Sequence, residues 1–180
     1  MPLLLFAPAP VADGPELVAR GGVTSEPSVG LRAFCLRPGA GDGALRGLEA
    51  RGRCATGELL KLVYGNPGGR PELFLVGVDG RFAIKWYEPR PPSTVSVPAA
   101  KGAELPLPGA IRLGVNHQPG PLRIFALVGE APIAAREIEG AVEELRRRRL
   151  DLAEVETLPL PDRDDVAQRS LLIEVTAGLP

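Results

Sequence analysis

Histidine, cysteine, lysine and aromatic side chains are scarce in this chain. Its 180 residues include one histidine, two cysteines, one methionine and one tryptophan, and only 4% are aromatic. With so few imidazoles and thiols, a Cys/His metal centre or a disulfide-rich scaffold is close to excluded. Lysine occurs only at Lys61, Lys85 and Lys101, and 21 Lys+Arg against 22 Asp+Glu leave a formal net charge of -1. A chain this close to neutral lacks the broad positive field that draws in phosphates, which disfavours a dedicated nucleic-acid binder. No apolar run reaches the roughly 18–20 residues that a membrane-spanning helix needs. Disorder is equally ill-suited, since 44% of the residues are hydrophobic and the net charge is low.

What the chain has in plenty is punctuation. It carries 22 Gly and 20 Pro, roughly twice their usual combined share. They are spread along the sequence with short apolar runs between them, the pattern of an all-β sandwich or barrel. The length fits one domain, enough to bury about 70% of the unfolded surface. Residues 1–30 read as a poorly structured or edge-strand arm, with one short helical turn at Pro15 to Arg20. Its opening, Met1-Pro2-Leu3-Leu4-Leu5-Phe6, imitates a secretion signal. No Lys or Arg precedes Arg20, however, and Pro8 cuts the apolar block short, so the criteria for export are not met. A cytoplasmic location is expected, with the periplasm as the alternative. Cys35 and Cys54 follow from that: free, buried thiols in a reducing cytoplasm, or one disulfide joining neighbouring strands if the protein is exported.

The pattern from residue 31 onward predicts an antiparallel β-sandwich of eight or nine strands. Leu31–Arg37, Glu58–Tyr64, Thr94–Val97, Ala110–Leu113, Leu122–Val128 and Ser170–Val175 are expected strands, with Leu45–Glu49 or Leu152–Leu158 as a further one. Glu72–Val78 is apolar on both faces and reads as a central strand. Asp79-Gly80 supplies a two-residue hairpin signal, and Arg81–Tyr87 returns with Phe82, Ile84 and Trp86 on one face. From Pro132 to about Arg149 the period changes. Ala134, Ile138, Ala141, Val142 and Leu145 mark one face of an amphipathic helix, with acids early and arginines late as its dipole favours.

Chemistry is sparse. His117 is the one imidazole; it lies in a turn with no Ser or Cys beside it, and is expected to be exposed. Asp162, Asp164 and Asp165 lack the stagger and glycine of a calcium loop and read as a solvated connection. The Gly-rich stretches at 39–43 and 65–69 lack the ending of a phosphate loop. Arg146, Arg147, Arg148 and Arg149 concentrate positive charge at the helix end; they read as a solvated helix terminus, with contact to phosphate, an acidic lipid surface or an acidic partner as the functional alternative. Strand alternation buries Trp86 and exposes Tyr87, so Tyr87 and Arg90 are candidate loop residues for a small ligand or carbohydrate. No catalytic residue, metal or cofactor is expected.

Several segments together resemble a bacterial domain of unknown function that accompanies caspase-like proteases, kinases and anti-sigma-factor-type membrane anchors. The resemblance rests on Val76 to Pro89, a strand–turn–strand ending in an aromatic–x–Pro. Leu107-Pro108-Gly109-Ala110-Ile111, Pro119 to Leu127, Leu158-Pro159-Leu160-Pro161 and Ser170 to Glu174 also carry it. The chain departs from the pattern at Asn116-His117 and Leu122, where the family has acidic residues. The resemblance implies a non-catalytic accessory or regulatory β-domain acting through another protein. A signalling protease, a kinase or a sigma-factor regulator would be the partner. The alternative expectation is a small-ligand or carbohydrate-binding β-sandwich module.

Overall fold

Short apolar runs separated by Gly and Pro fold into two stacked, mainly antiparallel sheets with one helix against the outer face of the second. The computed structural model describes residues 28–37, 45–48, 51–114 and 116–178. The arm up to residue 27, its expected helical turn and the 38–43 loop lie outside the described residues. In chain order the strands are β1 (Gly30–Leu36), β2 (Leu45–Leu48), β3 (Arg51–Ala55), β4 (Leu59–Asn66), β5 (Glu72–Asp79) and β6 (Ile84–Glu88). They continue with β7 (Val97–Pro98), β8 (Gly102–Pro106), β9 (Ile111–Arg112), β10 (Gly120–Gly129) and, after helix α1 (Ala135–Arg147), β11 (Ala167–Thr176). Two of these eleven strands, β7 and β9, have only two residues; the rest match the expected eight or nine in number.

The first sheet runs β2-β1-β4-β8, with β9 also paired to β4, and the second runs β3-β11-β10-β5-β6, with β7 also paired to β5. Every pairing is antiparallel except β3 with β11. Alternation sends Leu73, Leu75, Leu122, Ile124 and Ala126 inward to meet Ala33, Leu60 and Leu62 of the first sheet. The opposite faces of β5 and β10, with Phe74, Val76, Val78, Phe125 and Leu127, pack under Ile138, Ala141, Val142 and Leu145 of α1. Both central strands are therefore covered on both sides, as the two-sided apolar run of β5 predicts.

The helix begins later than its apolar period suggests. Ala134 has no side-chain oxygen to cap the first turn, but the Glu137 carboxylate accepts the Ala134 amide at 2.6 Å. Arg163 then pairs with Glu137 at 2.7 Å and with Asp165 at 2.8 Å, and donates to the carbonyls of Ala131 and Pro132. The segment expected to be a solvated connection is thus a clamp on the start of α1.

Three further expectations need correcting. Leu152–Leu158 forms turns, because its buried residues Leu152, Val155 and Leu158 recur every third position, which no strand can present to one face. Arg123 and Gln168 pin this segment through the carbonyls of Ala153 and Leu158. The Asp79-Gly80 turn is longer than two residues. Asp79 Oδ1 accepts both the Arg81 and Ala83 amides at 2.9 Å, Phe82 takes a left-handed φ of 61°, and β6 starts only at Ile84. Two strands were not expected: β3, a mostly polar run, and β8, whose Pro106 is tolerated at the end of an edge strand.

Candidate functional site

The two cysteines meet across the sandwich. Cys35 on β1 and Cys54 on β3 form a disulfide with Cα atoms 5.9 Å apart, both buried in the inter-sheet core. This corrects the expectation of free thiols, and the bond joins opposite sheets, not neighbouring strands. Glu58 lies within 4.8 Å of both sulfurs, but sulfurs bonded to each other have no thiolate to offer a metal. The Glu58 carboxylate is instead engaged by the Ala55 amide at 2.8 Å.

The helix-end arginines are exposed, and three of the four are paired with acids of the same helix. Arg146 pairs with Glu143, while Arg147 and Arg148 share Glu144 at 2.5 and 2.9 Å. The Arg147 hydrogen bond above all holds the Glu144 carboxyl below its usual range. Arg149, with φ of 53°, follows the helix end. These residues do not converge on Tyr87 or Arg90, which belong to the far edge of the second sheet.

That edge carries the most chemically distinctive cluster among the described residues. Tyr87, expected to be exposed, is only 4% exposed and packs in the inter-sheet core. Tyr87 and Trp86 do point to opposite faces, as alternation requires. Because α1 covers the outer face of the sheet, Trp86 meets Phe74 edge-on at 5.7 Å while Tyr87 faces the first sheet. A register shift between β5 and β6 at Leu75/Val76 leaves Tyr87 as the extra residue of a bulge, which aims its ring inward. Space for the ring exists because residue 77 is glycine; a Cβ there would stand 2.6 Å from Tyr87 Oη.

His117 is buried too, at 9% exposure, against the expectation of a solvated turn. Leu113, fully buried and bonded through its amide to the Glu58 carbonyl, anchors the loop, and the His117 amide closes it onto Gly114. The imidazole stacks beside the Tyr87 ring with Nε2 3.2 Å from Tyr87 Oη. Burial, reinforced by the nearby Lys85 charge and only partly opposed by Asp79, lowers the His117 pKa, so the ring is neutral at pH 7. Burial and the Asp79 charge push the Tyr87 phenol up, so it too stays neutral.

Lys85, on the same strand face as Tyr87, pairs with Asp79 at 3.1 Å. Burial works against the Asp79 charge, but the Ala83 and Arg81 amides and the Lys85 ammonium outweigh it and hold the carboxyl below its usual range. Lys85, Tyr87 and His117 line a cleft of about 590 Å³ together with Arg90, Pro91, Ala110, Ile111 and Asn116. Of the residues that the sequence singled out, the fold brings Tyr87, Arg90 and His117 together. Lys85 was not foreseen, although a lysine in a returning apolar strand, in a chain with three lysines, is a signal of its own.

Comparison with family models, with curated proteins and with solved structures finds no match for this chain. The fold itself defines the class: a mainly β, two-sheet sandwich with no closed barrel and one helix near the C-terminus. No helix among the described residues is long and apolar enough to cross a membrane.

Proposed function

We propose that this chain is a non-catalytic binding module that holds a small ligand in the cleft between β6 and the 110–117 loop. The observation that carries this is the convergence of Lys85, Tyr87, Arg90 and His117 on one cavity of ligand size, half walled by Trp86, Pro91 and Ile111. Among the described lining residues there is no serine, threonine or cysteine to attack a substrate, and no carboxylate to exchange a proton. A thermal-shift screen of the full chain against neutral and charged metabolites tests the reading, because a ligand bound only by the native state raises its melting temperature. A stabilising ligand whose effect disappears in Ala110→Trp, which fills the exposed mouth of the cleft, supports it. Silence across the panel, or stabilisation that survives Ala110→Trp, discards it.

A second reading, the regulatory protein-interaction domain implied by the resemblance, is favoured by a different observation. β6 is the outer strand of its sheet, with no strand on its other side among the described residues, and an open edge accepts an added strand. A signalling protease, kinase or sigma-factor regulator belongs to this reading. Affinity purification of the tagged chain tests it: a stoichiometric partner supports it, and elution alone at low salt opposes it. The buried Cys35–Cys54 bond supports an oxidising compartment such as the periplasm over the cytoplasm.

A further inference from the structure

The hydrogen-bond arithmetic of the Tyr87–His117 pair specifies what the cleft lacks. The phenol carries one hydrogen, and among the described residues His117 Nε2 is its only acceptor. A buried hydroxyl left without an acceptor is costly, so the hydrogen goes to Nε2. The neutral ring must then carry its own hydrogen on Nδ1. Nδ1 is buried and has no hydrogen-bond partner among the described residues. It is thus a fixed, buried donor, on a residue that lines the cleft, with nothing to donate to.

Two cations share that cavity. Lys85 spends one of its three hydrogens on Asp79 and has no other described partner. Arg90 is exposed and makes a single long contact, 3.5 Å, to the Pro108 carbonyl, with no ion pair among the described residues. Among the described residues, Asp79 is the acid whose charge acts on His117 and Tyr87, and it is already engaged by Lys85 and two backbone amides. Charged donors therefore outnumber acids, and the rest of the wall is apolar at Trp86, Pro91 and Ile111 and polar at Asn116.

We propose that the cleft takes a small organic acid, its carboxylate held by His117 Nδ1–H, Lys85 and Arg90 and its apolar body lying against Trp86 and Ile111. This rests on the ligand-binding reading above and names its chemical class. An inorganic anion would satisfy the donors but leave the apolar wall wet; a neutral ligand would leave Arg90 without a counter-charge and Lys85 with Asp79 alone.

The single histidine makes the test direct, because every imidazole signal in a ¹⁵N-histidine-labelled sample belongs to His117. Hexanoate, hexanamide and inorganic phosphate are titrated in turn at constant ionic strength, following both ring nitrogens. The expected result is a bare Nε2 and a hydrogen-bearing Nδ1 in the free protein. Hexanoate then shifts Nδ1 saturably and at least about tenfold more tightly than hexanamide. Arg90→Gln, at an exposed position outside the core, weakens hexanoate by about tenfold without altering the free spectrum. A hydrogen on Nε2 in the free protein overturns the proposal. Hexanamide binding as well as hexanoate overturns the acid class but leaves the cleft a binding site. Phosphate alone saturating overturns the organic class in the same way. If none of the three perturbs His117, the proposal falls; the wider reading falls with it if the metabolite screen is silent or its hits survive Ala110→Trp.

Discussion

Gly77 and Tyr87 occupy one space. A Cβ on residue 77 would sit 2.6 Å from Tyr87 Oη and 3.0 Å from two of its ring carbons, closer than real contacts allow. The phenol that fixes the His117 tautomer is thus placed by a missing methyl group on the neighbouring strand. Gly77→Ala is expected to push the ring out, cost about 1–3 kcal/mol of stability and scramble the His117 ring-nitrogen signals. Gly114→Ala, where a Cβ meets only Arg112 Cγ at 4.0 Å, is the matched control and should change neither. Chemical denaturation and the histidine spectrum check both.

Acid should weaken the fold through His117. Its pKa in the native state lies below the ordinary 6.5, so an unfolded chain takes up a proton that the folded one refuses. The unfolded state then binds more protons, and stability falls as pH drops below about 6.5. Asp79 works in a separate window: its folded carboxyl lies below the ordinary 3.8, so its contribution is present above that value and lost further into acid. Melting temperatures at about pH 7.5 and about pH 5.5 should therefore drop more for the natural chain than for His117→Gln.

The inter-sheet bond should be a large stabiliser. It links residues 19 apart in sequence, and closing a loop of that size contributes about 3 kcal/mol by restricting the unfolded chain. The Cys35→Ala, Cys54→Ala double variant, or the reduced protein, is expected to unfold at correspondingly lower denaturant. Thiol counting in denaturant on material from native cells should find no reactive cysteine.

Arg163 is expected to matter more than the whole arginine run. It is 14% exposed and holds Glu137, Asp165 and two carbonyls at the start of α1, so Arg163→Ala should cost about 2–3 kcal/mol. Arg147→Ala with Arg148→Ala, both paired with Glu144 of the same helix, should leave the melting temperature unchanged and any partner affinity nearly so. Parallel melts of the two variants decide between them.

The core strands were legible because their burial follows a period. β5 and β10 are apolar at consecutive positions, and α1 repeats its apolar residues at helical spacing. What escaped was whatever depends on a partner far away in sequence. β3 shows no apolar pattern, since Cys54 and the ladder to β11 hold it in place. Alternation tells two faces apart without saying what covers each, so from sequence Tyr87 reads as solvent-facing. His117 looked like an ordinary turn residue because its environment comes from β6, some thirty positions upstream. One local clue was available: a glycine inside an apolar strand, Val76-Gly77-Val78, marks a close approach.

The Cys35–Cys54 bond also changes what a break in the chain would mean. Each sulfur is rooted in a different sheet, so residues 36–53 run as a detour between two points already welded together. A protease cutting once within that detour would leave two polypeptides that still travel as one molecule. They would separate on a gel only after reduction, and the cleft at the opposite edge of the second sheet would keep its walls throughout.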